Sequence, residues 1–183
     1  MQAVEKVQFQ LRAKRQGDQF EEVCITALQM AGFEIADRKF VVPDVGIEID
    51  IIAHNREGVA MAFECTGSWN VVTPGMERND TLKKKLCNAW LLSLSPIAVS
   101  AWPPLVILTS HLPIAAGGKA HLSRVPTTAL LDIVRPSETK RLAFWAARTV
   151  EQIQDYQRRH ELVAPTLRFD TPVNGHEGRP PIR

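Results

Sequence analysis

The chain has 183 residues, of which 45% are hydrophobic and 23% are charged, and its formal net charge is +2. This length and composition predict one domain with a single core, and the small net charge excludes a basic field over the whole molecule, so any nucleic-acid surface has to be a local patch. Cys24, Cys65 and Cys87 are widely spaced and form no C-x-x-C pair, so neither a disulfide framework nor a zinc site is indicated. A reducing, cytoplasmic location is therefore expected.

The first predicted elements are helical. Residues 2–15 are predicted to form a short lead-in that Gly17 interrupts, and Asp18 is predicted to begin a strong helix that ends at Gly32. Apolar residues recur in this second helix at steps of three and four, as expected for a helix with one buried face. These residues are Phe20, Val23, Cys24, Ala27, Leu28 and Ala31.

Three strands are predicted next. Residues 35–42 form the first, and the turn Pro43 to Gly46 leads into a hairpin whose strands, 47–53 and 60–66, alternate between apolar and other residues. Only a register that places apolar residues opposite each other is acceptable, and centring the loop near Glu57 satisfies this condition. That register places Asp50 opposite Glu64, Glu48 opposite Thr66, Ile51 opposite Phe63 and Ile49 opposite Cys65, with Ile47, Ile49, Ile51 and Ala53 on one face.

Two carboxylates that face each other across a strand pair repel unless a positive charge lies between them. A divalent cation bound by Asp50 and Glu64 satisfies this requirement. The alternative is a half-exposed hairpin whose outer face simply carries acids. Ala62 and Ile52 share the acid face, however, so it is not uniformly solvated, and a buried acid such as Glu64 needs a partner.

The hairpin carries Glu48 and Asp50, then a turn, a hydrophobic strand and Glu64-x-Thr66. This arrangement resembles the core of the PD-(D/E)XK nuclease superfamily, which includes restriction, repair and junction-resolving endonucleases. The resemblance implies a restriction endonuclease-like α/β fold, with a central mixed sheet of four to five strands flanked by helices. It also implies Mg²⁺, or Mn²⁺ as a substitute, held by Asp50, Glu64 and the peptide carbonyl of Cys65. The lysine of the family motif is missing, because this chain has Thr66 at that position.

Two further acids have alternative interpretations. Glu21 is either the partner of Asp18 in a capping box or, as the resemblance to junction resolvases and Mrr-type nucleases implies, a member of the metal shell, with Glu22 as its exposed alternative. Asp44 follows a proline and gives a literal match to the motif. Asp50 is preferred because a loop aspartate usually serves the turn, whereas Asp50 is in register with Glu64.

The loop and helix after the hairpin carry candidate DNA contacts. Trp69 is interpreted either as a residue that stacks on a base or sugar or as a cover for the core. The predicted helix 76–94 carries Arg78, Lys83, Lys84 and Lys85 in its first half, and its predicted buried face comprises Leu82, Leu86, Ala89, Trp90 and Ser93. Among relatives of the superfamily the catalytic cation has sometimes moved to this helix, which implies Lys83 or Lys85 here. The alternative is a solvated basic face that contacts phosphates.

The last third of the chain is predicted to contain one strand and two helices. Residues 105–109 form a continuous apolar run, typical of a strand buried on both faces, which would extend the hairpin's sheet. Residues 126–134 and 137–162 are predicted to be helices, the second capped by Ser137. One nuclease-like domain is expected over residues 1–163, and residues 164–183 are interpreted as a Pro- and Arg-rich flexible tail. No membrane segment is predicted, because the uncharged stretch 86–118 contains four prolines.

These patterns lead to two functional hypotheses. The first is a metal-dependent DNA endonuclease in restriction, repair or mobile-element defence, acting as a homodimer or with a partner protein. Thr66 supports the second, a catalytically inactive nuclease-like scaffold that binds nucleic acid or a partner protein. A structural domain with acids as surface decoration is a third alternative. The form of the nucleic acid is left open.

Overall fold

The computed structural model describes residues 2–67, 76, 79–95, 105–113 and 129–161, of which 2–13, 79 and 156–161 are described by their backbone alone. It confirms the predicted α/β class, with a five-stranded mixed sheet flanked by helices. Within the described part of the chain, every helix is too short or too polar to cross a lipid bilayer. The elements are α1 (Gln2–Ala31), β1 (Glu34–Val42), β2 (Ile47–His54), β3 (Ala60–Thr66), α2 (Asn79–Leu94), β4 (Val106–Thr109), β5 (Ala129–Asp132), α3 (Pro136–Ala146) and α4 (Val150–Glu161).

The strands lie in the order β1-β2-β3-β4-β5. The first three are antiparallel neighbours, whereas β4 is parallel to β3 and β5 is parallel to β4. Ile51 pairs with Phe63 and His54 pairs with Ala60, so the predicted hairpin register is confirmed over this stretch. The predicted buried strand at residues 105–109 also lies beside the hairpin, as β4 next to β3.

The sheet separates two apolar clusters. One cluster packs β2, β3, β4 and β5 against α1 and α3, and the other packs the opposite face of the sheet against α2. Neighbouring residues of β4 alternate between the two clusters, because both faces of this strand are buried. The α1 cluster includes Phe20, Leu28, Ile51, Phe63, Leu108 and Trp145, and the α2 cluster includes Ile49, Ala62, Leu82, Leu86, Ala89 and Ile107.

The alternation of β2 is broken at Asp50. Ile47 and Ile49 pack in the α2 cluster, whereas Ile51 and Ala53 pack in the α1 cluster, so the prediction that these four residues share one face is wrong. Side chains of a regular strand alternate strictly between faces, and an irregularity of one residue reverses the order. Asp50 therefore lies where β2 changes faces, and its two oxygens bind partners from both α2 and β1.

The predictions for α1 and for residues 126–134 need correction. Helix α1 runs without a break through Gly17 and Asp18, so Asp18 is an interior residue and the capping-box interpretation of Glu21 is wrong. The predicted helix 126–134 is wrong where the structure describes it, because Ala129–Asp132 form β5. A short apolar run is compatible with either element, and here pairing with β4 selects the strand.

The C-terminal helical region and α2 also differ from the predictions. Residues 137–162 are not one helix, since α3 ends at Ala146 and α4 begins at Val150. Helix α3 begins at Pro136, which suits a first helical position, so Ser137 is not its cap. Trp90 of α2 was predicted to be buried but is 54% exposed, because Leu92 occupies the buried face in its place.

Asn55 connects the hairpin loop to the end of α3. Its side-chain amide donates hydrogen bonds to the carbonyl oxygens of Trp145 (3.1 Å) and Arg148 (2.7 Å). Its side-chain oxygen accepts from the backbone N–H groups of Glu57 (3.0 Å) and Val59 (2.9 Å). Asn55 is buried, and its four bonds to backbone groups hold the hairpin loop against the end of α3.

Candidate active site

Asp50 of β2 and Glu64 of β3 converge on one cation, the ammonium group of Lys85 from α2. Lys85 Nζ lies 3.0 Å from Asp50 Oδ2 and makes a close ion pair with Glu64 Oε2. Asn88, one helical turn later, donates from Nδ2 to Glu64 Oε1 at 2.7 Å. The backbone N–H of Cys65 donates to Asp50 Oδ2 at 2.8 Å. Two facing carboxylates thus have a positive charge between them, supplied by the protein itself.

The phase of α2 decides which lysine reaches the carboxylates. Leu82 and Ala89 face the sheet, and Lys85 lies between them at helical spacing, with its side chain only 12% exposed. Lys83 and Lys84 lie on the exposed face. Of the two lysines that the sequence proposed as replacements for the motif lysine, the structure therefore brings Lys85 to the acids and leaves Lys83 in solvent.

The three groups shift one another's titration. Burial would raise the pKa of Asp50, but the adjacent Glu64, the charges of Lys85 and Lys39 and the Cys65 N–H together hold it well below its ordinary value. Burial and the neighbouring Asp50 raise the pKa of Glu64 to about 7, against the opposing charge of Lys85. Burial would lower the pKa of Lys85, but the two carboxylates raise it. Asp50 and Lys85 are thus charged at neutral pH, while Glu64 titrates there.

A second basic group approaches Asp50 from β1. Lys39 Nζ lies 2.7 Å from Asp50 Oδ1 and 2.5 Å from Oε2 of the buried Glu21. Arg38 Nη2 lies 2.9 Å from Glu21 Oε1 and 2.7 Å from Glu22 Oε1. The opposing carboxylates raise the pKa of Lys39, although burial acts against this. Sequence reasoning gave no role to Arg38 or Lys39.

A bulge explains why the sequence gave no signal for Lys39. The register of β1 on β2 shifts between Ile35 and Asp37, and beyond the shift Arg38 pairs with Ile51 and Phe40 with Ile49. Lys39 consequently falls opposite Asp50. Without knowledge of the bulge, alternation along β1 cannot show which residue faces the acid.

The remaining predicted residues lie elsewhere. Thr66 ends β3 and pairs with Thr109 of β4 in the ladder. Cys65 contributes its N–H to Asp50, rather than the carbonyl that the resemblance implies as a ligand. Asp44 is exposed in the turn before β2 and accepts a hydrogen bond from the hydroxyl of Ser95, the residue after α2. Trp69, Arg78 and the tail 164–183 lie outside the described residues.

Mg²⁺ fits the donor chemistry of the Asp50–Glu64 pair. The ion prefers oxygen ligands and retains several waters, so two carboxylates are sufficient protein ligands. Both carboxylates already share one cationic group in Lys85, which shows that they converge on a position suited to positive charge. Among the described residues, no group of three or more His, Cys, Asp or Glu side chains lies close enough to hold an ion. Glu21 therefore does not join Asp50 and Glu64 as a third metal ligand. Its two oxygens contact Arg38 and Lys39 instead.

No family model, no curated protein and no solved structure matches this chain. Its function is therefore inferred from the geometry.

Proposed function

We propose that the chain is a metal-dependent DNA endonuclease whose catalytic centre is Asp50, Glu64 and Lys85. The observation that carries the proposal is the convergence of the buried Glu64 and the partly buried Asp50, from adjacent strands, on the partly buried Lys85 of the following helix. Phosphodiester hydrolysis needs acidic oxygens to hold a divalent cation and a positive group to offset charge on the phosphate. The resemblance to the PD-(D/E)XK superfamily supports the same assignment, with Lys85 in place of the lysine missing at Thr66.

Each residue has a distinct role in this proposal. Asp50 and Glu64 hold Mg²⁺, which, when bound, supplies Lewis-acid chemistry to the phosphate and to a water molecule. The Cys65 N–H and the Asn88 amide orient the two carboxylates. Lys85 keeps the acids together in the free protein and donates an N–H to a phosphate oxygen during the reaction, where its charge is least screened because the group is buried.

The proposal predicts strict metal dependence. Wild-type protein is expected to cut plasmid, linear or branched DNA with Mg²⁺ or Mn²⁺ and to stop when EDTA is added, because the two carboxylates alone supply no electrophile. Gel analysis of timed reactions with and without chelator measures this. Cleavage that persists undiminished in EDTA, after exhaustive removal of metal from protein and DNA, would reject the metal-dependent assignment.

One observation favours a second candidate, a catalytically inactive scaffold that binds nucleic acid or a partner protein. All four oxygens of Asp50 and Glu64 contact donors of the protein itself, from Lys39, Lys85, Cys65 and Asn88. Such a site is electrostatically satisfied without metal, as a relic held by ion pairs would be. Calorimetric titration of wild type and Asp50→Asn with Mn²⁺ separates the two candidates. A scaffold of this kind shows no Mn²⁺ binding that depends on Asp50.

A further inference from the structure

Two consecutive residues of β1, Arg38 and Lys39, bind the same carboxylate. Arg38 contacts Oε1 of Glu21 at 2.9 Å, and Lys39 contacts Oε2 at 2.5 Å. Side chains of consecutive strand residues normally point to opposite faces of a sheet, so two neighbours should not meet at one acid. Glu21 has only 5% of its side chain exposed, which makes this acid a fixed anchor.

The backbone of Lys39 explains how both side chains reach Glu21. Lys39 has φ +54°, in the left-handed region that residues other than glycine rarely adopt, and it is the single such residue among those described. A conformation of this kind is retained only when surrounding contacts enforce it, and such positions concentrate at functional sites. Here it redirects one side chain and places two cations side by side on the edge strand.

The two cations are fixed but not enclosed. Arg38 and Lys39 have 45% and 46% of their side chains exposed. Lys39 has three N–H donors, of which Asp50 and Glu21 accept two, and Arg38 uses Nε and Nη2 for its carboxylates, so that Nη1 has no recorded partner among the described residues. Both side chains thus remain partly exposed, Lys39 beside Asp50 and Arg38 beside Glu21 and Glu22.

We propose that Arg38 and Lys39 form a phosphate clamp that binds the nucleic-acid backbone next to the Asp50–Glu64–Lys85 centre, with Glu21 as the residue that positions both cations. The inference rests on the proposed nuclease function for the identity of its ligand. Arginine and lysine are the usual partners of backbone phosphates, and preorganised donors lose little freedom when they bind. The contact between Lys39 and Asp50 makes the clamp continuous with the site of cleavage.

The charges of the cluster predict that phosphate binding depends on the metal. Four carboxylates (Glu21, Glu22, Asp50 and Glu64) and three cations (Arg38, Lys39 and Lys85) give a formal charge of −1 when Glu64 is ionised. A bound divalent cation changes this to +1, which one phosphodiester group neutralises. DNA and metal should therefore each strengthen the binding of the other, as linked equilibria require.

The test is DNA binding without cleavage. Fluorescence anisotropy with labelled duplex and single-stranded DNA, in Ca²⁺ and over a range of salt concentrations, compares wild type with Arg38→Met, Lys39→Gly and Lys140→Met. Arg38→Met and Lys39→Gly are each expected to weaken binding about tenfold and to lower the salt dependence by about one phosphate contact. Lys140→Met removes the same charge from the exposed surface of α3 and is expected to bind as wild type does.

Lys39→Gly removes the side chain without adding backbone strain, because glycine adopts φ +54° readily, and its thermal unfolding is measured to confirm that it is folded. Glu21→Gln adds a readout for positioning: it is expected to weaken DNA binding more than Mn²⁺ binding, because Glu21 contacts both cations of the clamp but reaches Asp50 only through Lys39. Unchanged affinity and salt dependence in Arg38→Met and Lys39→Gly, or no DNA binding by wild type, overturns the clamp. The clamp is also overturned if Arg38→Met and Lys39→Gly bind DNA as wild type does but lose affinity for a labelled polyglutamate peptide. The ligand of the two cations would then be an acidic protein.

The clamp and the nuclease assignment fail in different ways. If the two β1 variants lose DNA affinity but wild type never cleaves DNA with any divalent metal, the clamp stands and the nuclease proposal is rejected. If wild type cleaves and both variants bind DNA as wild type does, the nuclease proposal stands and the clamp is rejected.

Discussion

Replacing Lys85 by methionine is expected to lower the rate of DNA cleavage at least about a hundredfold, which is the usual loss when one preorganised donor to a transition-state oxygen is removed. Lys85 is the one lysine of α2 that reaches Asp50 and Glu64, and methionine keeps most of its length while removing its charge. The rate is measured with substrate in excess and saturating Mg²⁺, so that changes in DNA affinity do not enter.

Lys84→Met is the matched control for this substitution. Lys84 is the preceding residue of α2 and is exposed, so its loss removes an equal charge without touching the carboxylates. Lys85→Met leaves two buried acids without their cation, so circular dichroism must show that it is folded, and Lys85→Arg tests whether a cation of different shape restores activity. Equal rates for folded Lys85→Met and Lys84→Met would remove Lys85 from the catalytic centre.

The stability of the metal-free protein should fall as pH rises from about 4.5 to 7. The pKa of Glu64 is raised from 4.5 to about 7 by burial and by Asp50, so in this window the folded state retains a proton that the unfolded chain has lost. The stabilisation from this group is complete below pH 4.5 and is lost as pH passes the folded pKa, an effect of up to about 3 kcal/mol. Urea unfolding at several pH values measures it.

Glu64→Gln isolates the contribution of this one group. Glutamine is neutral throughout the window, so the difference in unfolding free energy between wild type and Glu64→Gln is expected to change with pH, while the difference between wild type and Glu48→Gln is not. Glu48 is an exposed acid on the same hairpin. Asp50 does not affect this comparison between pH 4.5 and 7. Its pKa is lowered in the folded protein, so the stability that it contributes is lost only as pH falls below the ordinary aspartate pKa. A constant difference for Glu64→Gln would show that Glu64 is ionised in the native state throughout.

The hairpin could be predicted because two independent constraints agreed. Apolar alternation in both strands and a short polar loop with one glycine left a single acceptable register, which the pairs Ile51–Phe63 and Ile52–Ala62 confirm. Alternation alone could not predict the reversal of faces at Asp50, because a strand irregularity depends on what packs against both sides. The acids were therefore placed correctly as neighbours, while the faces of Ile47 and Ile49 were assigned wrongly.

Lys85 could have been chosen from the sequence and Lys39 could not. Leu82, Leu86 and Ala89 mark the buried stripe of α2, and Lys85 falls on that stripe while Lys83 and Lys84 fall outside it. Lys39 faces Asp50 only because of a bulge and a positive φ. The sequence predicts a helix where the structure has β5, because a run as short as Ala129–Asp132 has no decisive periodicity and only its pairing with β4 selects the strand.

Cleavage of plasmid DNA in Mg²⁺ by wild type, Asp50→Asn, Glu64→Gln and Glu48→Gln tests the central claim most directly. Each substitution removes one carboxylate from the same hairpin and keeps the side chain nearly the same size, and folding is confirmed for all four proteins by thermal unfolding. We expect wild type and Glu48→Gln to cut at similar rates and the other two to be reduced at least about a hundredfold, since each loses the negative charge of a proposed metal ligand. Wild-type rates in folded Asp50→Asn and Glu64→Gln would contradict the account and place the active site elsewhere.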